Sequence, residues 1–187
     1  MATSARYRVA PRRRRENKTD YRKRLKLLLS GVPRVVIRRT SRHMLVQIIE
    51  YKTEGDIVIA SAHSKNLNKF DWKGSTSNTS AAYLTGLMCG INAKKKGTKR
   101  AILDMGLSLK SPSIFAALKG VLDSDLNVPC DKKILPDEKR IRGEHVASYA
   151  SSLKDKKKRF SKYFERGLDP SDLPKHFNSV VSKIKGG

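Results

Sequence analysis

The residues with the plainest chemistry in this chain are its arginines. Arg12, Arg13, Arg14 and Arg15 stand in a row, preceded by Arg6 and Arg8 and followed by Lys18, Arg22, Lys23 and Arg24. Glu16 and Asp20 are the only acids in residues 1–42 and cannot neutralise that block, so the guanidiniums either stay solvated or meet phosphates. A guanidinium presents a planar fork of donors that suits bidentate contact with phosphate and base edges. A second cluster, Arg38, Arg39, Arg42 and His43, surrounds the first β-branched run. Charge there either contacts phosphate or merely guards a strand edge against aggregation, and the overall balance favours phosphate. A third, weaker group is Lys65, Lys69, Trp72 and Lys73 in a long polar stretch. Its rings, Phe70 and Trp72, could stack on bases or cover a local apolar patch.

The same search finds little that could catalyse. Between residues 43 and 130 the acids are Glu50, Glu54, Asp56, Asp71, Asp104, Asp123 and Asp125, mostly in expected turns or helix ends. Asp104, closing the run RAILD, is the one suggestively placed, because open α/β sheets bind ligands beyond the carboxyl ends of their strands. Its plainer role is to form the turn before Gly106. A two-metal nuclease needs several convergent carboxylates, and no strand supplies a convincing second one. His43, His63, His145 and His176 are scattered, and Cys89 and Cys130 form no CxxC, so no metal and no cofactor is expected. Both cysteines read as small apolar residues. Neither GxGxxG nor GxxxxGK[ST] occurs, and Gly86 with Gly90 is expected to let a helix pack closely on a sheet. The expectation is a binding protein, not an enzyme.

Composition says what it binds. Lys and Arg number 41 against 17 Asp and Glu, a formal net charge of +24, which calls for an anionic partner. With 38% hydrophobic residues the 187-residue chain can build a modest core. No apolar run approaches the roughly 20 residues that span a bilayer, so no membrane partner is expected. The N-terminus has charge without a following apolar segment, unlike a secretory signal, and a cytoplasmic location follows. Helix-turn-helix, zinc-finger, basic-zipper and RNP-type signatures are missing, which favours structured RNA over duplex DNA.

These residues must be positioned by the elements between them. TDYRKRLKLLLS predicts a short basic helix capped by Thr19 or Asp20 and stopped at Gly31-Val32-Pro33. The runs 34–40, 44–51 and 56–62 predict a three-stranded meander, the last two joined by a tight turn at Thr53-Glu54-Gly55-Asp56. A polar loop, HSKNLNKFDWKGSTSNTS, follows. Leu84, Leu87, Met88 and Ile91 lie on one helical face within residues 80–96, and Gly97 suits its end. A strand at residues 100–105 and a helix opened by Ser111-Pro112 follow, so the centre should be an α/β layer with a mixed sheet. Polar helices are expected over residues 136–154 and 156–166. Asp172 is expected to cap a last helix with the apolar stripe Leu173, Phe177, Val180, Val181 and Ile184. Charge divides the chain likewise: residues 1–32 a basic N-terminal arm with a short helix, 33–130 an α/β core, and 131–187 a basic helical C-terminal extension.

The segment PRVVIRRTSRHMLVQII (residues 33–49) resembles the opening strand pair of the large-subunit ribosomal protein family numbered eighteen, which binds 5S rRNA. The likeness continues through VIASAHSKNL, FDWKGSTSNTSAAYLTGLMCG, AILDMGL, IFAALKGVLDSDLNVP and ILPDEKRIRGEHVASYA. The arm and the last of these segments look like the longer archaeal and eukaryotic-type members; Lys94–Lys96 and the Gly186-Gly187 tail depart from the pattern. The resemblance implies a ribonuclease H-like α/β core without nuclease carboxylates. It also implies a place in the central protuberance, bound to 5S rRNA, touching 23S rRNA and neighbouring another 5S-binding ribosomal protein. By position, the arm cations and the Arg38–His43 cluster match the family's RNA-facing segments. The rival readings are a ribonuclease H-like nucleic-acid-processing enzyme and a non-specific nucleoid-type binder.

Overall fold

The computed structural model describes residues 5–186, so Met1–Ser4 of the arm and Gly187 of the glycine tail lie outside the described residues. Two short helices come first, α1 (Arg12–Arg15) and α2 (Tyr21–Leu28), and neither buries a residue. Asp20 starts α2: its carboxylate accepts from the Arg22 and Lys23 backbone N–H groups at 3.0 and 3.2 Å, satisfying two donors that a helix otherwise leaves orphaned.

The expected meander forms from β1 (Arg34–Arg39), β2 (Met44–Lys52) and β3 (Gly55–His63), each pair antiparallel. The chain then crosses over through a helix, α3 (Thr79–Lys95), and returns as β4 (Ile102–Asp104) parallel to β1. The result is one four-stranded mixed sheet in the order β3-β2-β1-β4. Alternation along β2 sets its two faces: Met44, Val46 and Ile48 are buried under the helices, while Leu45, Gln47 and Ile49 on the other face are only half-buried.

α3 is more deeply placed than its apolar stripe implies. Every residue from Ser80 to Gly90 is buried, because α3 packs on β2 and β3 and also against α4 (Pro112–Leu122). Gly86 and Gly90 serve the helix contact and not, as expected, the contact with the sheet. A Cβ on Gly86 would stand 1.9 Å from the Ala117 carbonyl oxygen, and one on Gly120 of α4 would stand 2.1 Å from that of Tyr83. The two backbones therefore meet directly, which only glycine permits. Ser111 holds the cap position of α4 without capping it; its hydroxyl instead meets Ser113 Oγ at 2.9 Å.

The polar helices beyond residue 130 are broken into shorter pieces. Gly143, at φ +83°, separates α5 (Glu138–Arg142) from α6 (Glu144–Ser152), and Phe160 separates α7 (Lys156–Arg159) from α8 (Ser161–Glu165). Asp169, in place of Asp172, accepts from the Ser171 N–H at 2.8 Å and caps the turn leading into α9 (Leu173–Gly186). The stripe of α9 finds its cover inside the same core as α3: Leu173, Phe177, Val180 and Ile184 are buried there. Each such side chain contributes roughly 1.5–3 kcal/mol on burial, so α9 is firmly docked.

Candidate nucleic-acid interface

The arm presents its cations to solvent. Arg6, Arg8, Arg12–Arg15, Lys18, Arg22 and Lys23 are all exposed. Glu16 engages Lys18 at 2.8 Å and Arg12 at 3.6 Å, and Arg13 Nε donates to Thr19 Oγ1 at 2.9 Å. Arg14 and Arg15 form no ion pair with any described residue. Exposed ion pairs of this kind hold little energy, so an incoming phosphate can displace them.

Arg24 is a correction to the expected set of RNA contacts. Its two terminal nitrogens donate to the two oxygens of Asp56 at 2.9 and 2.8 Å, so its fork is spent on protein. That pair opens a network the sequence did not reveal. Arg34, with its side chain only 4% exposed, donates to Asp56 at 2.8 Å and to Asp104 at 2.7 Å. Arg38 adds donations to the carbonyls of Ile37 and Asp104 at 3.2 and 3.3 Å, which partly engages a second expected RNA contact. Asp104 also accepts the Gly106 N–H at 2.8 Å, the turn role expected of it. The Arg24 hydrogen bond, helped by the charges of Arg24 and Arg34, holds the Asp56 carboxyl below the usual carboxylate range. Thus Arg24 ties α2 to the open face of the sheet.

The β1–β2 turn projects the next cations. Thr40 Oγ1 accepts the His43 N–H at 2.9 Å and donates to the His43 carbonyl at 3.0 Å, which fixes the turn. Arg42 is exposed, with its carbonyl held by Thr76 Oγ1 at 2.7 Å. Arg39 is exposed and donates to Ser111 Oγ at 3.2 Å. His43 is half-buried, its Nδ1 3.3 Å from Ser64 Oγ and its ring centroid 4.8 Å from that of His63.

The expected polar loop begins instead as a 3₁₀ helix, Ser64–Phe70, anchored by buried Leu67. Lys65, Lys69 and Lys73 are exposed there, but Trp72 is 3% exposed and is no platform for a base. Its Nε1 donates to the Ser75 carbonyl at 3.1 Å and its ring stacks on His176 at 5.2 Å. His176 Nε2 in turn accepts the Lys73 N–H at 3.1 Å. Burial first, then the charges of Lys73 and Lys183, pushes the His176 pKa down, keeping the ring neutral and able to accept. Trp72 therefore docks the 64–78 segment onto α9. A recess of about 550 Å³ lies beside it, lined by His43, Lys65, Lys73, Thr76 and Arg166, among others. Arg166 was not singled out from the sequence; its Nη1 donates to the Gly74 carbonyl at 2.7 Å.

Chemically, this is a surface for polyanions. Among the described residues no group of three or more His, Cys, Asp or Glu could hold a metal ion. Asp104 is engaged by Arg34 and Gly106, and the Cys89 thiol is pushed up to about 12 by burial. A family model described as ribosomal large subunit proteins 60S L5 and 50S L18 matches residues 5–99. Over 188 residues the chain is 53% identical to the large ribosomal subunit protein uL18 of Methanothermobacter thermautotrophicus, covering 98% of each. It is 50% identical over 192 residues to the protein of the same name from Thermofilum pendens, covering 99% of this chain and 98% of that one.

Proposed function

Because the chain belongs to the ribosomal large-subunit family of 60S L5 and 50S L18, we propose that it binds 5S rRNA and helps attach it to 23S rRNA in the central protuberance. The observation that carries the RNA-binding part is the exposed cation set of the arm, above all Arg14 and Arg15, which make no ion pair with a described residue, continued by exposed Arg42 at the β1–β2 turn. Each neutralised phosphate releases counterions and supplies affinity, while the rigid turn and sheet supply a shape for folded RNA to match. The arm (1–32) and extension (131–187) then run along RNA and adjoining proteins, another 5S-binding protein among them. The core (33–130) has a ribonuclease H-like layout put to a structural use, since its best-placed carboxylate, Asp104, is committed to Arg34.

The test is assembly. Large subunits assembled without this chain should sediment lacking 5S rRNA, and adding the purified chain should restore it. Particles that hold 5S rRNA equally with and without the chain would sink the proposal.

A further inference from the structure

A second recess, of about 770 Å³, opens between the β1–β2 turn and α7–α8. Arg42 and His43 line one side, and Arg159, Lys162 and Arg166 line the other. It adjoins the recess beside Trp72, with which it shares His43, Thr76 and Arg166, so the two form one continuous groove that also takes in Lys65 and Lys73. Among the described residues no carboxylate lines either part. That is not a general property of so basic a chain: the recess by Tyr83 includes Asp123 and Glu138, and those near Leu135 include Asp137.

The groove is also built. Thr76 holds the Arg42 carbonyl and Arg166 holds the Gly74 carbonyl, each at 2.7 Å, so both walls are tied to the segment 74–76 between them. Arg159 and Lys162 are exposed and make no ion pair with a described residue, which leaves them free to meet a ligand. Ser75 and Ser77 add hydroxyls to the lining, the Thr76 hydroxyl being spent on the Arg42 carbonyl. Cations on two walls with hydroxyl donors between them fit a sugar–phosphate chain, whose charges recur along its length.

We propose that this groove holds a stretch of RNA phosphate backbone, with Arg159, Lys162 and Arg166 of the C-terminal segment as its second wall. The site deepens the ribosomal reading above and rests on it for the identity of the RNA. It enlarges the RNA-facing surface to residues far along the chain from the arm and the first strand pair.

The test compares full-length R159A/K162A with K157A/K158A, which removes two exposed lysines of α7 that do not line the groove. Affinity for 5S rRNA and for transfer RNA is measured across a salt series. With 5S rRNA, R159A/K162A should lower the slope of log K against log salt by about 1.4 to 1.8, two phosphate contacts' worth, and K157A/K158A by much less. An unchanged slope in R159A/K162A, or equal losses in both variants, would overturn the groove. If the wild-type chain binds both RNAs alike, the 5S assignment fails, while the difference between the two variants on either RNA still decides the groove.

Discussion

Replacing Arg34 with methionine is expected to cost about 3 kcal/mol of folding stability, because it leaves a buried carboxylate without its partner. Asp104, with its side chain 10% exposed, would keep only the Gly106 N–H and an Arg38 nitrogen 4.0 Å away. Those two remnants place the loss near the lower end of the roughly 3–5 kcal/mol typical of a broken buried pair. In a chain of this size such a loss lowers the melting temperature by about 6 to 12 °C. The pH dependence has a definite sign. Asp56 has a folded pKa below its ordinary 3.8, so its share of stability is complete above that value and is lost as pH falls through the folded pKa. Most of that share belongs to Arg24, which the variant keeps, so the wild-type advantage over Arg34→Met should be constant from pH 7 to 5 and narrow only by the smaller Arg34 share below about 3.8. A melting difference below about 2 °C would show that the network behaves as solvated surface charge.

The second large effect is on binding. The quadruple variant R12A/R13A/R14A/R15A should flatten the salt dependence of RNA binding by about 3 in slope, at about 0.7 to 0.9 per phosphate contact. Near 0.15 M salt that corresponds to an affinity loss on the order of a hundredfold. Thermal stability should be unaltered, since α1 buries no residue and Arg24, through Asp56, anchors the arm independently. A full slope in the variant would mean that this run faces protein or solvent. Comparing the two variants separates the guanidiniums that hold the fold from those that hold the ligand.

Features set by neighbours in sequence were legible in advance. The meander followed from alternation and the turn sequence Thr53-Glu54-Gly55-Asp56, α2 from a cap expected at Thr19 or Asp20 and found at Asp20, and the parallel β4 from the crossover through α3. The arm's exposure could be read from its missing apolar residues. What escaped depends on partners distant in sequence. Arg34 was not singled out in the sequence, because Asp56 and Asp104, which engage it, lie 22 and 70 positions away. An arginine leading directly into the apolar run Val35–Ile37 was the available signal, since a guanidinium placed there needs acceptors brought to it by the fold. Trp72 looked able to stack on a base because His176, which covers it, lies on the last helix. Gly86 and Gly90 promised a close contact but not the surface that makes it. Arg166, Arg159 and Lys162 looked like solvated helix charges, and only the packing around Gly74–Thr76 sets them opposite Arg42.

The most direct test of the central claim is a competition at fixed, near-physiological salt, with 5S rRNA set against equal excesses of transfer RNA and duplex DNA for the purified chain. Selective retention of 5S rRNA is the predicted result, because a fixed arrangement of turn, sheet and groove should reward one folded RNA beyond its charge. Equal retention of all three would contradict it, leaving a polyanion binder whose place on the ribosome is decided by its neighbours.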